Sequence, residues 1–306
     1  MDATHAPSAA ALDRALKDMS EVVGPGAVFA ADEDRDAYGD RFPIDPRRHR
    51  PFAAVAPTSA EQVQALVRIA AAHRVPIWTI SRGKNLGYGT AAPVVAGSIT
   101  LDLSRMQKIE VDVENATVLL EPGVGFYDLY DYLQTRNIPL WLSVPGNSWG
   151  SVIGNALDRG LGYTPYGEHT RNLCGMEVVL PDGSLVRTGM GAMPNSPSWQ
   201  LHKYGYGPAW DQLFVQSNFG IVTKAGMWLM PQPQVVRGFD VEMDRMEDLG
   251  PLIDTIGPLR REGVLQQSPT IGNWFRAANI LTTRHQWTDQ PGSLSDEVIS
   301  AIRKHF

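Results

Sequence analysis

One run of ten residues, Ile80-Ser81-Arg82-Gly83-Lys84-Asn85-Leu86-Gly87-Tyr88-Gly89, constrains the fold more than any other stretch of this chain. It follows an apolar segment, Val75-Pro76-Ile77-Trp78-Thr79-Ile80, that reads as a short buried strand. Glycines at 83, 87 and 89 free the backbone for left-handed angles and for close approach to a ligand, while Ser81, Arg82, Lys84 and Asn85 supply donors between them. Such a run suits an anionic phosphate group; a tight turn without a ligand is the competing reading. Two familiar phosphate motifs fail here. A Walker loop needs Ser or Thr after Gly-Lys, and Lys84 is followed by Asn85. The dinucleotide fingerprint Gly-x-Gly-x-x-Gly opens a helix, whereas this spacing is Gly-x-x-x-Gly-x-Gly and Thr90-Ala91-Ala92-Pro93 opens none. A nucleotide site at this position is therefore of another kind.

A second glycine-rich segment, residues 145–155, strengthens the ligand reading. It mixes Gly146, Gly150 and Gly154 with small donors ahead of a helical stretch, and free N–H groups at a helix start can seat a phosphate or a flavin carbonyl. Behind it lies Gly160-Leu161-Gly162-Tyr163-Thr164-Pro165-Tyr166-Gly167-Glu168-His169, too rich in glycine and tyrosine for a regular element. It carries an adjacent carboxylate and imidazole, for which a surface loop with a chance Glu-His pair is the bland alternative.

The elements around these segments set the fold class. Leu12, Leu16, Met19 and Val23 recur at three- and four-residue steps over residues 9–23, an amphipathic helix ended by Gly24-Pro25-Gly26. Residues 30–51 are polar, with prolines at 43, 46 and 51, and read as an ordered surface crossing in which His49 is solvated. A strand at Ala53-Ala54-Val55, a helix from a Thr58 or Ser59 cap to about His73, and the strand over 75–80 form a βαβ unit. The glycine run then sits at the carboxyl end of a sheet strand, where α/β folds hold ligands. Strands follow at 98–103, 109–113 and 117–123, the last two a hairpin over Glu114-Asn115-Ala116. Next come a helix over 126–137, strands at 176–180 and 184–188 around Pro181-Asp182-Gly183, a short helix over 211–219 and a strand over 220–230. Beyond a domain boundary expected near residue 233 lie a helix over 249–261, a strand over 270–280 and a capped amphipathic helix over 295–303. Nothing follows that last helix to pack against it, and the expectation is a domain cut short.

Composition narrows the function. With 306 residues and 43% hydrophobic content the chain can bury a substantial core. A net charge of −6 argues against a binder of the nucleic-acid backbone. The single cysteine, Cys174, excludes an internal disulfide and a cysteine-ligated metal cluster, and it reads as a buried structural thiol. No apolar run approaches the roughly 18 residues that span a bilayer, and the first residues lack the pattern of a secretory signal. The expectation is a soluble cytoplasmic protein, with the periplasm as the alternative.

The strings over 80–93 and 145–169, with residues 174–193 and 204–231, resemble the flavin-binding domain of the vanillyl-alcohol oxidase and p-cresol methylhydroxylase family, and the resemblance extends more thinly from Pro51 onward. It implies an α+β fold: a helix and surface arm over 1–50, a two-subdomain flavin-binding domain over 51–232, and the start of an α+β cap domain over 233–306. FAD is then held between the subdomains, with its pyrophosphate on Ser81, Arg82, Gly83, Lys84, Asn85, Leu86 and Gly87. Pro145, Gly146, Gly150, Ser151, Gly154, Asn155 and Gly162, and the backbone of Gly220, Ile221 and Val222, line the rest. Tyr88 matches the family tyrosine that helps hold a substrate phenolate, and Glu168 matches a carboxylate beside flavin N5.

The implied reaction is oxidation or hydroxylation of 4-alkyl or 4-hydroxybenzyl phenols, by hydride transfer to flavin N5 through a quinone methide that water then attacks. Implied partners are a phenolic substrate, oxygen or a cytochrome c as electron acceptor, and a second copy in a homodimer; no nucleic acid, membrane or metal is expected. Family members continue well past the position of Phe306. That further part carries the histidine or tyrosine that attaches FAD in many members and a tyrosine–arginine pair of the phenolate site, and none of these can be placed here. A FAD-binding module without full catalytic competence is thus the second reading, and a nicotinamide-dependent dehydrogenase, lacking its fingerprint, the third.

Overall fold

The computed structural model describes residues 7–40, 49–85, 88–95, 97–205, 207–237, 240–243, 245–267 and 269–306. Contacts divide the chain into two compact units, Met1–Gln267 and Ser268–Phe306.

The larger unit opens with α1 (Ala9–Val23), whose start is capped by Ser8: its hydroxyl accepts the Ala11 N–H at 3.2 Å. The periodicity that defines α1 buries Leu12, Ala15 and Met19. β1 (Val28–Phe29) and α2 (Asp32–Ala37) follow, so the polar crossing expected over 30–51 contains a short helix, with Asp32, Glu33 and Asp34 at its positive end. β2 (Ala53–Val55) leads through the Ser59 cap into α3 (Ala60–His73), and β3 (Ile77–Ile80) follows. β4 (Ile99–Asp102) lies between β2 and β3 and runs parallel to both, giving the order β1-β2-β4-β3. The βαβ unit is present, but its two strands do not touch. Their core joins Leu12 and Met19 of α1 to Val63 and Leu66 of α3 and to Ile99 and Leu101 of β4.

A second, antiparallel sheet is built from β5 (Ile109–Asp112), β6 (Thr117–Leu120), β8 (Leu173–Val179), β9 (Leu185–Arg187) and β10 (Ile221–Trp228) in the order β5-β6-β10-β8-β9. Its core is closed by α4 (Phe126–Thr135) and α5 (Val152–Leu157), and β7 (Leu140–Trp141) pairs with β11 (Met230–Pro231) as a separate ribbon. The two cores share the central strands: on β8, Val178 belongs to the second core and Val179 to the first. The turn between β8 and β9 needs glycine at 183, where φ is +79°. Its carbonyl accepts from Gln64 Nε2 and Arg68 Nη2 of α3, both at 2.7 Å, which ties the second sheet to the first subdomain.

The short helix expected over 211–219 is a single 3₁₀ turn, Asp211–Phe214, because Gln216 takes φ +49° and gives its N–H to Leu157 O at 2.9 Å. Residue 233, where the sequence suggests a boundary, lies just after β11; the division between the two units lies further on, after Gln267, so α6 (Leu249–Arg261) belongs to the larger unit. In the smaller unit the strand expected over 270–280 is instead α7 (Trp274–Leu281). Asn273 caps it, accepting the Arg276 N–H at 3.2 Å, and this local bond overrides the apolar run that reads as a strand. α8 (Asp296–His305) is capped by Ser295 as its sequence requires.

Candidate functional site

The chain leaves β3 at Ile80 and turns at once through Ser81-Arg82-Gly83. Gly83 has φ +59°, and a Cβ there would stand 2.9 Å from that of Ala91, so conformation and space both demand glycine. Ser81 packs its hydroxyl against Gly154, where a Cβ would overlap it. Asn147 Nδ2 donates to Lys84 O at 2.8 Å. The two glycine-rich segments, far apart in sequence, therefore meet. Lys84, Asn85 and Gly146 are exposed there, with open space around Gly146.

Several residues expected to touch a ligand are engaged within the protein. Arg82 pairs with Asp128 and donates to Gly123 O at 3.3 Å, while Asp128 also accepts the Gly125 N–H at 2.8 Å. Arg82 thus pins the start of α4 to the loop. Ser151 accepts the Gly154 N–H at 3.0 Å and donates to Pro122 O at 2.6 Å. Tyr88 turns outward, 83% exposed, with its N–H on Asn85 O. Leu86 and Gly87 lie outside the described residues. Gly220 packs on Val178, and Ile221 and Val222 pair with Val179 and Val178 at the end of β8. Glu168 precedes the other end of that strand.

In the loop that follows α5, Glu168 and His169 part company. Glu168 faces outward and pairs with Arg171 at 3.0 Å. His169 is 2% exposed, its Nδ1 lies 2.5 Å from Asn155 Oδ1 and its ring packs 5.6 Å from that of Phe126. Burial lowers its pKa from 6.5 to about 4, so the ring is neutral. Its Nε2 and the Ser143 Oγ both face Gly162, where any Cβ would meet them, and both are buried without a hydrogen-bond partner among the described residues. Thr164 Oγ1 is in the same condition. Glycines at 154 and 162 that admit no side chain, exposed donors where the two segments meet and unsatisfied buried polar atoms in the loop that follows fit a bound nucleotide cofactor. The Asn155–His169 bond carries no sequence signal beyond the adjacency of Glu168 and His169, because its partners lie on different elements.

Beside Glu168 opens a cavity of about 560 Å³, lined by Arg159, Arg171, Lys203, Tyr204 and Asp211 among others. Nothing in the sequence marks these five as a group, because they come from four separate places in the chain. Asp211 gains its proton more readily than usual because it is buried, and Lys203 loses its own more readily for the same reason. Cys174 is fully buried behind them, its thiol pushed up to about 11 by burial, in keeping with a structural role. Among the described residues no His, Cys, Asp and Glu cluster could hold a metal, and no helix is long and apolar enough to cross a membrane.

Residues 51–189 match the FAD binding domain family. The chain is 43% identical to the flavoprotein subunit of 4-cresol dehydrogenase [hydroxylating] from Pseudomonas putida, over 95% of this chain and 57% of that protein. It superimposes on the crystal structure of p-cresol methylhydroxylase with substrate bound at a TM-score of 0.92 and 42% identity, covering 98% of this chain and 59% of the other. A 4-ethylphenol oxidase from Gulosibacter chungangensis, solved with isoeugenol, matches at a TM-score of 0.89 and 36% identity, covering 98% and 58%. The chain thus spans rather more than half the length of these relatives.

Proposed function

Since the chain belongs to the vanillyl-alcohol oxidase and p-cresol methylhydroxylase flavoproteins, we propose that it grips FAD between its two subdomains and oxidises 4-alkyl or 4-hydroxybenzyl phenols. The observation that carries this reading is the meeting of the two glycine-rich segments, Ser81 on Gly154 and Asn147 on Lys84 O. Small residues at the contact let two backbones approach a ligand together, and Lys84 offers an exposed cation for a pyrophosphate. Ser81, Gly83, Lys84, Gly146, Gly154 and Asn155 form the grip in this reading, while Arg82 and Ser151 hold the two segments in shape. Gly220, Ile221 and Val222 line its far end.

Bound there, FAD would accept the hydride that a phenolate releases from its benzylic carbon as it becomes a quinone methide. The protein's task is to stabilise the phenolate and to guide water. Tyr88 is assigned as a hydroxyl donor to the phenolate oxygen, where a donor lowers the cost of the negative charge. The Glu168 carboxylate, steadied by Arg171, is assigned to accept a proton from the water that adds to the benzylic carbon. The acceptor that would reoxidise a bound flavin is oxygen or a cytochrome c.

Equilibrium dialysis with FAD, followed by anaerobic titration with 4-alkylphenols or vanillyl alcohol, tests both halves. Expected are binding below tens of micromolar, an absorbance band at about 450 nm and its bleaching by the phenol. Absence of binding removes the cofactor assignment. Binding without bleaching favours instead a FAD-binding module lacking catalytic competence.

A further inference from the structure

We propose that His169 is a positioning residue, whose side chain bridges α5 to the loop over 160–168 and so fixes where Glu168 stands relative to α5 and the glycine-rich segment ahead of it. The proposal rests on reading the meeting of the two glycine-rich segments as the FAD site. Three bonds strap the loop to α5. The Gly160 N–H donates to Asn155 O at 2.8 Å, Thr170 Oγ1 donates to Ala156 O at 2.5 Å, and His169 Nδ1 meets Asn155 Oδ1 at 2.5 Å. Of the three, only the last joins two side chains, so only it fixes the face that Asn155 turns to the loop.

The chemistry of the bond fixes the ring as well. Asn155 Oδ1 can only accept, so Nδ1 carries the hydrogen and the Nε2 lone pair is directed at Gly162. The imidazole also packs on the Phe126 ring, 5.6 Å between centroids. Glu168 is the next residue back along the chain and is bridged to Leu161 across the loop. A ring held at Nδ1 by Asn155 and packed on Phe126 therefore holds the carboxylate's backbone. The competing explanation is that His169 merely fills volume beneath the loop.

Two substitutions separate these explanations. His169→Asn keeps a donor near the Nδ1 position while losing ring volume, and His169→Phe keeps the volume while losing both nitrogens. FAD affinity of the full chain, read by flavin fluorescence, and tryptic cleavage of the FAD-free chain at Arg159 and Arg171, which flank the loop, are measured for each. If the bond positions the loop, His169→Phe weakens FAD binding roughly tenfold or more and speeds cleavage, while His169→Asn stays within about threefold of the parent. Parental behaviour of His169→Phe, or equal loss in both variants, overturns the proposal. Should His169→Phe fail to fold, His169→Gln, which reaches toward Nε2 and not Nδ1, takes its place with the same expected loss. A parent chain that binds no FAD removes the cofactor reading alone, because the cleavage ranking still decides whether the bond holds the loop.

Discussion

Glu168 and His169 are neighbours in the chain, yet one faces solvent beside Arg171 and the other lies 2% exposed against Phe126. The burial of His169 has a thermodynamic consequence that can be measured apart from any ligand. In the unfolded chain the imidazole titrates near 6.5, whereas burial lowers it to about 4 in the folded one. Between those values the unfolded chain binds a proton that the folded chain refuses. Stability therefore falls as pH drops from 6.5 toward 4, and the penalty vanishes above 6.5. At its fullest it is on the order of 3 kcal/mol. Urea unfolding across this window should show the decline in the parent and a shallower one in His169→Asn; equal slopes would mean that the ring titrates freely in the folded state.

At the scale of elements, the sequence speaks where periodicity and caps are local. Ser8, Ser59 and Ser295 mark the starts of α1, α3 and α8, and each side chain accepts an N–H of the first turn. Alternation foretells β5 and β6, and Pro181-Asp182-Gly183 foretells the turn between β8 and β9. What stays hidden is pairing at a distance. Nothing in Ser98-Ile99-Thr100-Leu101 announces that β4 inserts between β2 and β3, and nothing near Glu177 reveals its partners. That carboxylate, 1% exposed on β8, accepts from Arg187 Nε and Nη2 of β9 at 3.0 and 2.8 Å, and from Thr223 of β10 at 3.1 Å, with Lys224 at 3.3 Å. Charge this deep is tolerated only with such company. Arg187→Met should cost about 1–3 kcal/mol, less than a fully stranded charge because Lys224 remains and Arg187 is itself 43% exposed. Urea denaturation measures it, and no loss would show that Lys224 alone suffices. The same distance hides the site: composition announces the glycine segments, but not that Arg82 and Ser151 are turned inward to shape them.

Across the whole molecule, burial is uneven, and the unevenness predicts where the chain opens. The larger unit has two cores that meet on β8 and are clamped by Gln64 and Arg68 on the Gly183 carbonyl. In residues 269–306 the buried apolar side chains are Ala278 and Ile302, while Phe275, Ile280 and Leu281 are 51%, 67% and 70% exposed. Helices as short as α7 and α8 are marginal without packing. Their amides should exchange with solvent well before those of β8 and β10, which should open only on global unfolding. Added FAD offers the sharper comparison. A ligand gripped by two segments lowers the opening of both, so protection should rise together over 81–85 and 145–155 and leave α7 and α8 unchanged. Protection of one segment alone would mean that Ser81 and Gly154 touch for packing, and that the cofactor lies elsewhere.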